Sequence, residues 1–385
     1  MRDLMDSFQG DFSSLWKLQQ RPPQNHLTWD WWWWLVMLDD PKNVEPGKQL
    51  MVLWSTKDNE MVQVNDVPWN PKGKPGFDEQ GAIRLDGMVC AWWFDGSVMH
   101  DEIISHVCDM IVLPADHSSW PSSSKSNRGG GAVVPLIDSD CSMGMVEDRS
   151  KFWLNLNLSE KSPIQSVQLD LTPWNPAMST ARQANATYAA NMGYDILRLH
   201  GTKVSGVIDG ESVSGTAYFQ KVCVQAPSVP WYWGMLHFSD GSYLDWFLPH
   251  ASLTMLSRDA RAWKKRDISH IALSQGGLFH DAQNKRSERF EIVSVKKEKQ
   301  PNNLPHFDVQ LLNGRTTIHI SAQAVERAHW DFHQPTRGGV WSHLTYNEYP
   351  LIVKTLRIED EFGVRVKSDY EWLRGNAEHS WGFLH

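Results

Sequence analysis

Long apolar runs are missing from this chain. No stretch of eighteen apolar residues occurs, and the run from Trp31 to Leu38 is far too short for a helical membrane span. Cysteine is scarce. The four present, Cys90, Cys108, Cys141 and Cys223, form no C-x-x-C pair and no zinc spacing. The N-terminus, Met1-Arg2-Asp3-Leu4-Met5-Asp6, lacks the apolar segment of a secretory leader. Together these predict a cytoplasmic protein with reduced thiols. An excess of basic charge is missing as well. Lys and Arg number 37 against 45 Asp and Glu, a net charge of −8, which argues against a nucleic-acid partner. The one basic cluster, Lys296-Lys297-Glu298-Lys299, reads as a solvated strand end or loop.

The usual catalytic signatures are absent too. There is no G-x-S-x-G elbow and no Walker loop, and Gly129-Gly130-Gly131 has no strand–helix context. His329 and His333 are spaced like a helical metal pair, but Trp330, Asp331 and Phe332 between them supply no H-E-x-x-H glutamate, and Pro335 follows closely. No metal and no organic cofactor are expected. Helical periodicity is rare. The candidates are Asp11 to Gln20, Ala322 to Ala328 and the Ala-rich Pro176 to Met192, which reads equally as a connector.

What the chain does have is tryptophan and alternation. Trp number 21 against 8 Tyr. Each indole buries a large ring and brings one N–H that needs a partner. Period-two runs recur, such as Lys48 to Lys57, Glu60 to Val67, Gly81 to Val89, Phe152 to Leu158, Val213 to Lys221, Trp231 to Phe238, Tyr243 to Leu248 and Leu351 to Ile358. Turn pairs separate them: Asp86-Gly87, Asp95-Gly96, Asp209-Gly210, Asp240-Gly241 and Asn313-Gly314. Short strands with Gly turns mean a sandwich or barrel. With 385 residues the prior is two domains, placed here at 1–185 and 186–385.

Two segments carry a resemblance. The first is Gly215-Thr216-Ala217-Tyr218-Phe219-Gln220-Lys221. The second is Pro230-Trp231-Tyr232-Trp233-Gly234 through His237 to Asp240-Gly241. Together they resemble the signature of a lipocalin-like superfamily that includes carotenoid 1,2-hydratase, AttH-like proteins, tocopherol cyclase and fungal Diels–Alderases. The Trp31–Trp34 run resembles that group's first domain. The resemblance implies an all-β chain of two tandem lipocalin-like barrels or sandwiches of antiparallel strands, with few short helices. It implies hydratase-like or cyclase-like handling of an apolar isoprenoid or polyene. Where many members carry Asp or Glu, this chain has Gln220, which cannot give up a proton. Glu378-His379-Ser380-Trp381-Gly382 offers the acid-His-x-Trp-Gly pattern intact. Tyr243 and Asp245 form a Tyr-x-Asp pair of the kind suspected to be catalytic in the hydratases.

Protonating an unactivated alkene requires a carboxyl that stays protonated in a dry site, with aromatic faces around the cation that forms. Glu378 is the first acid candidate, with His379 to tune it, then Asp245 with Tyr243, then Asp30 among its indoles. Trp31 and Trp33 share one face of a strand, and Asp30, Trp32 and Trp34 the other, which predicts a strand between two domains. Trp231 and Trp233 also share a face. The remaining ligand contacts expected are Tyr218 and Gln220, which could jointly hold a carbonyl, and Lys221, His237 and Trp381. The competing readings are a non-catalytic carrier of a hydrophobic ligand and a pericyclic cyclase that only folds a polyene and polarises a carbonyl. A peripheral membrane contact to collect substrate stays open.

Overall fold

The computed structural model describes residues 15–16, 28–57, 61–71, 76–114, 117, 132–135, 141–148, 150–174, 179–185, 192–258, 270–336 and 338–385. These residues form two curled antiparallel sheets and no helix of seven residues or more. The lipocalin-like all-β expectation holds. No helix among them is long and apolar enough to cross a membrane.

The first sheet has twelve strands. It closes on itself, because the Ser166–Pro173 strand pairs with Phe152–Asn157 on one side and Met192–Ile208 on the other. The second sheet, of fourteen strands, runs from Trp231 to the C-terminus and curls around its own core. The change of sheet falls after Gln225, since Met192–Ile208 and Glu211–Gln225 belong to the first. One excursion crosses over. The hairpin of Val62–Val64 and Val67–Trp69 leaves the first barrel and pairs with Ala328–Pro335 of the second.

Three apolar clusters result: one inside each barrel and a third between them. The Thr28–Leu38 strand feeds two of them. Trp32 and Trp34 point into the first barrel, where Trp34 meets Phe219 at 4.6 Å and Phe152 at 5.4 Å. Trp29, Trp31 and Trp33 point out, toward the second sheet. Alternation at every second residue lets one run of indoles build two layers.

Several local expectations change. Gly87 is no turn; it lies within Ile83–Phe94, and a Cβ there would meet the Met110 side chain at 2.4 Å. Asp209 and Gly210 do form a turn, with φ of 50° and 83°, as a tight hairpin requires. The helix expected over Ala322 to Ala328 is instead the end of the Thr317–Ala324 strand and the start of Ala328–Pro335, because both edges find ladder partners. Within Pro176 to Met192, residues 179–185 pair as a strand. The N-terminal helix expectation falls almost wholly outside the described residues. His329 and His333 sit on a strand, where four residues span about 13 Å, so they form no helical pair.

Candidate active site

The two barrels face each other across a funnel. One wall is the outward face of the first sheet: Trp29, Trp31 and Trp33, with Gln220 and Val224, Leu53 and Ser55, and Met88 and Cys90 from neighbouring strands. The register puts Trp33 directly opposite Gln220 and Leu53, and Trp31 opposite Ser55. The other wall is Trp231, Glu378, Leu344, Tyr346, Trp330 and Phe332 of the second sheet, and the crossover hairpin adds Val64 and Trp69. The enclosed void is about 140 Å³, within a funnel whose whole empty space, mouth included, is about 870 Å³. Beyond its floor the barrels are clamped by polar contacts. Gln49 donates to the Gly375 carbonyl at 3.0 Å, and Glu45 accepts from Lys367 at 2.7 Å and from the Leu373 N–H at 2.9 Å.

At the floor stand two glutamates and a tyrosine. Glu348 and Glu378 are directly paired residues on adjacent antiparallel strands, so their side chains share a face. The Tyr346 hydroxyl lies 2.6 Å from Glu348 Oε1 and 2.8 Å from Glu378 Oε1. A hydroxyl has one hydrogen and can donate to only one of them. The other short contact therefore requires a carboxyl that donates, so the trio holds an extra proton. Burial decides where it sits. Glu348 is 0% exposed, and that burial, reinforced by the charge of Glu378, raises its pKa well above the ordinary carboxylate range. Glu378 is pushed by burial up to about 7, against the opposing pull of the Trp231 N–H, the Tyr346 hydroxyl and the Arg198 charge. Trp231 Nε1 donates to Glu378 Oε2 at 2.6 Å. The chain of donation runs from the Glu348 acid to Tyr346 and on to Glu378, which faces the void.

A donor faces the void from the opposite wall. The Tyr218 hydroxyl donates to Gln220 Oε1 at 3.2 Å, which fixes the amide with its NH₂ as the free end. Tyr218 packs edge-on to Trp33 at 5.6 Å and tilted against Trp233 at 5.3 Å. Burial raises its pKa, so it stays a phenol.

Of the residues the sequence singled out, Trp31, Trp33, Gln220, Trp231 and Glu378 line this funnel, and Tyr218 and Trp233 pack just behind it. The others go elsewhere. His379 cannot tune Glu378. As the next residue on the strand it points to the opposite face, into the second barrel, where it stacks on Tyr232 at 4.9 Å, and burial lowers its pKa. Trp381, two residues on, shares that inward face and lies 5.2 Å from His379. Lys221 is inside the first barrel, ion-paired with Asp30, with its ammonium 4.4 Å from the Trp32 ring. That pairing also removes Asp30 as an acid facing a ligand. His237 is buried beside the funnel rather than in it. Its Nε2 donates to the His200 carbonyl at 2.6 Å and its Nδ1 accepts from Thr216 at 2.8 Å, and burial drives its pKa down to about 3.

Asp245 is no proton donor. Burial would raise its pKa, but His200 at 3.0 Å, Arg198 at 3.9 Å and the Leu278 N–H at 2.9 Å outweigh burial and hold it below the ordinary value. Tyr243 stacks on His200 at 5.0 Å and on His280 at 4.8 Å, walling off this ionised cluster.

Sequence reading missed Tyr346 and Glu348. The signal was a break at Pro350, which cut the expected strand to Leu351–Ile358. In the structure one strand runs Trp341–Asp360 through the proline. Pro350 sits where the neighbour on one side changes from Thr317–Ala324 to Ala328–Pro335, and its carbonyl accepts from Val325 N at 3.1 Å. Its missing N–H thus costs no ladder bond.

No family model and no curated protein matches this sequence. Solved structures do match in fold. CghA, a fungal Diels–Alderase, aligns with 95% of this chain and 94% of its own at 8% identity and a TM-score of 0.50. CghA with Sch210972 covers 92% and 88% at 8% identity and a TM-score of 0.46. An AttH from Nitrosomonas europaea covers 96% and 98% at 13% identity and a TM-score of 0.48. The chain thus has neighbours of the kinds its motif resembles, and at these identities the likeness is one of fold.

Proposed function

We propose that this protein binds an apolar small molecule of isoprenoid or polyene type in the funnel between its barrels and catalyses its proton-initiated cyclisation or hydration. The observation that carries this reading is the single hydroxyl of Tyr346 within hydrogen-bond reach of two buried carboxyls. A carboxyl poised near pH 7 in an apolar void can both give and take a proton. Glu378 would protonate one carbon of an alkene, or the oxygen of a conjugated carbonyl. The cation at the neighbouring carbon would lie among Trp31, Trp33 and Trp231, whose faces attract a desolvated cation by about 2 kcal/mol or more each. Ring closure or attack by water then releases a proton, which the Glu378 carboxylate takes back. Glu348, through Tyr346, is the reserve that keeps Glu378 supplied.

A void of about 140 Å³ is the size that holds one six-membered ring. The reacting part of the ligand would occupy it, with the remainder in the funnel mouth. A second reading is favoured by Gln220. Its oriented NH₂ would polarise a ligand carbonyl, which suffices for a pericyclic ring closure with no proton transfer, of the sort named for CghA's class. The Glu378→Gln variant separates the two. Proton-initiated chemistry loses about 10²–10⁴-fold in turnover with ligand affinity within a few fold, whereas pericyclic closure keeps its rate and loses it in Gln220→Leu.

A further inference from the structure

We propose that the mouth end of the second sheet is a docking face for an anionic lipid bilayer. Fourteen large hydrophobic side chains are exposed among the described residues, and six of them gather here: Leu253, Leu256, Ile271, Leu273, Val340 and Trp341. Scattered exposed apolar residues need no explanation, but a gathered set does. The hydrogen bonds tie these segments together. Ile271 pairs with Ala251, two residues before Leu253, and Leu273 N donates to the Pro249 carbonyl at 2.9 Å. Arg258 reaches the Trp341 carbonyl at 3.5 Å, and His343 Nδ1 donates to the Ser257 carbonyl at 3.2 Å. Ser342 in turn donates to the His385 carbonyl at 3.2 Å, and His385 follows Leu384, which lines the funnel. The patch is therefore continuous with the funnel's rim.

Charge selects the occupant. The protein as a whole is at −8, but Arg258 and the eleven residues that join it to His270 carry Arg258, Arg261, Lys264, Lys265 and Arg266 against Asp259 and Asp267. A basic segment beside outward Leu, Ile and Trp fits a bilayer surface of negative charge, where apolar side chains enter the interface and cations meet the headgroups. A second copy of an acidic chain would offer no such complement at an apolar patch edged with the same basic residues. Collection of an apolar ligand from the bilayer rests on the proposed function; the docking itself does not.

The test is sedimentation of the full chain with vesicles of phosphatidylcholine alone and of phosphatidylcholine with phosphatidylserine. Binding is expected to the serine-containing vesicles, with release as salt is raised. Leu256 is 79% exposed and Ile271 74%, so L256E/I271E should keep its thermal midpoint while binding falls about tenfold or more. R258E should weaken binding to the anionic vesicles and leave the phosphatidylcholine result unchanged. Wild-type protein remaining in the supernatant with phosphatidylserine vesicles would overturn the proposal. So would L256E/I271E binding as well as wild type, or a wild-type dimer in solution that this variant dissociates.

Discussion

Glu348 and Glu378 stand opposite one another on neighbouring strands, and the oxygen of Tyr346 touches both carboxyls. Like charges at directly opposed positions of a ladder repel. In a site screened from water two ionised glutamates would not coexist, and the geometry resolves this with a shared proton. The arrangement costs stability as the pH rises, and that cost is measurable.

Both carboxyls have pKa values raised above those of the unfolded chain. The folded state therefore binds more protons, and folding stability falls as pH rises from the ordinary glutamate pKa through the raised one. For Glu378 that window runs from about 4.5 to about 7. Thermal midpoints of the wild type should decline across it. Gln mimics a neutral glutamate, so E348Q/E378Q should flatten this decline and melt higher than wild type at pH 8. An unchanged slope in the double variant would place the pH dependence elsewhere.

Trp31 and Trp34 separate the two roles of the indole run. Trp34 is fully buried against Phe152 and Phe219, and W34A should cost about 3–5 kcal/mol in chemical denaturation. Trp31 already fronts the void. W31A should cost clearly less than W34A, while weakening the quenching of tryptophan fluorescence by an added isoprenoid ketone such as β-ionone. Equal stability losses would mean that the funnel is packed shut at that point.

Lys221 and Asp30 form a structural pair in the first barrel. K221M strands a buried carboxylate, and loss of about 3–5 kcal/mol is expected. Replacing both, as in D30L/K221M, should recover most of that loss. Ligand binding in the double variant should match wild type, because neither residue reaches the funnel. A binding defect there would restore Lys221 to the ligand site.

Much of this was legible in the sequence because strand alternation is a local code. The two faces of Thr28–Leu38 and the shared face of Trp231 and Trp233 follow from parity alone, as does the separation of His379 from Glu378. Which face meets a ligand is a long-range matter. Glu378 meets Glu348 only because residues thirty apart pair in one register, and Trp33 meets Trp233 only because two barrels pack. The break read at Pro350 hid Tyr346 and Glu348, since a proline inside a strand is harmless only where the neighbouring strands change, and that is set by topology. Asp245 misled for a related reason. Its Tyr-x-Asp spacing is local, whereas the His200 and Arg198 that ionise it come from the other sheet.

The most direct measurement is the infrared carbonyl stretch of protonated carboxyl groups, recorded in the folded protein at pH 7 without any ligand. A band from a buried carboxylic acid should be present in the wild type, change in E378Q as the shared hydrogen bond through Tyr346 changes, and vanish in E348Q. Absence of that band from the wild type at pH 7, or its persistence unaltered in E348Q, would contradict the shared proton on which the chemistry depends.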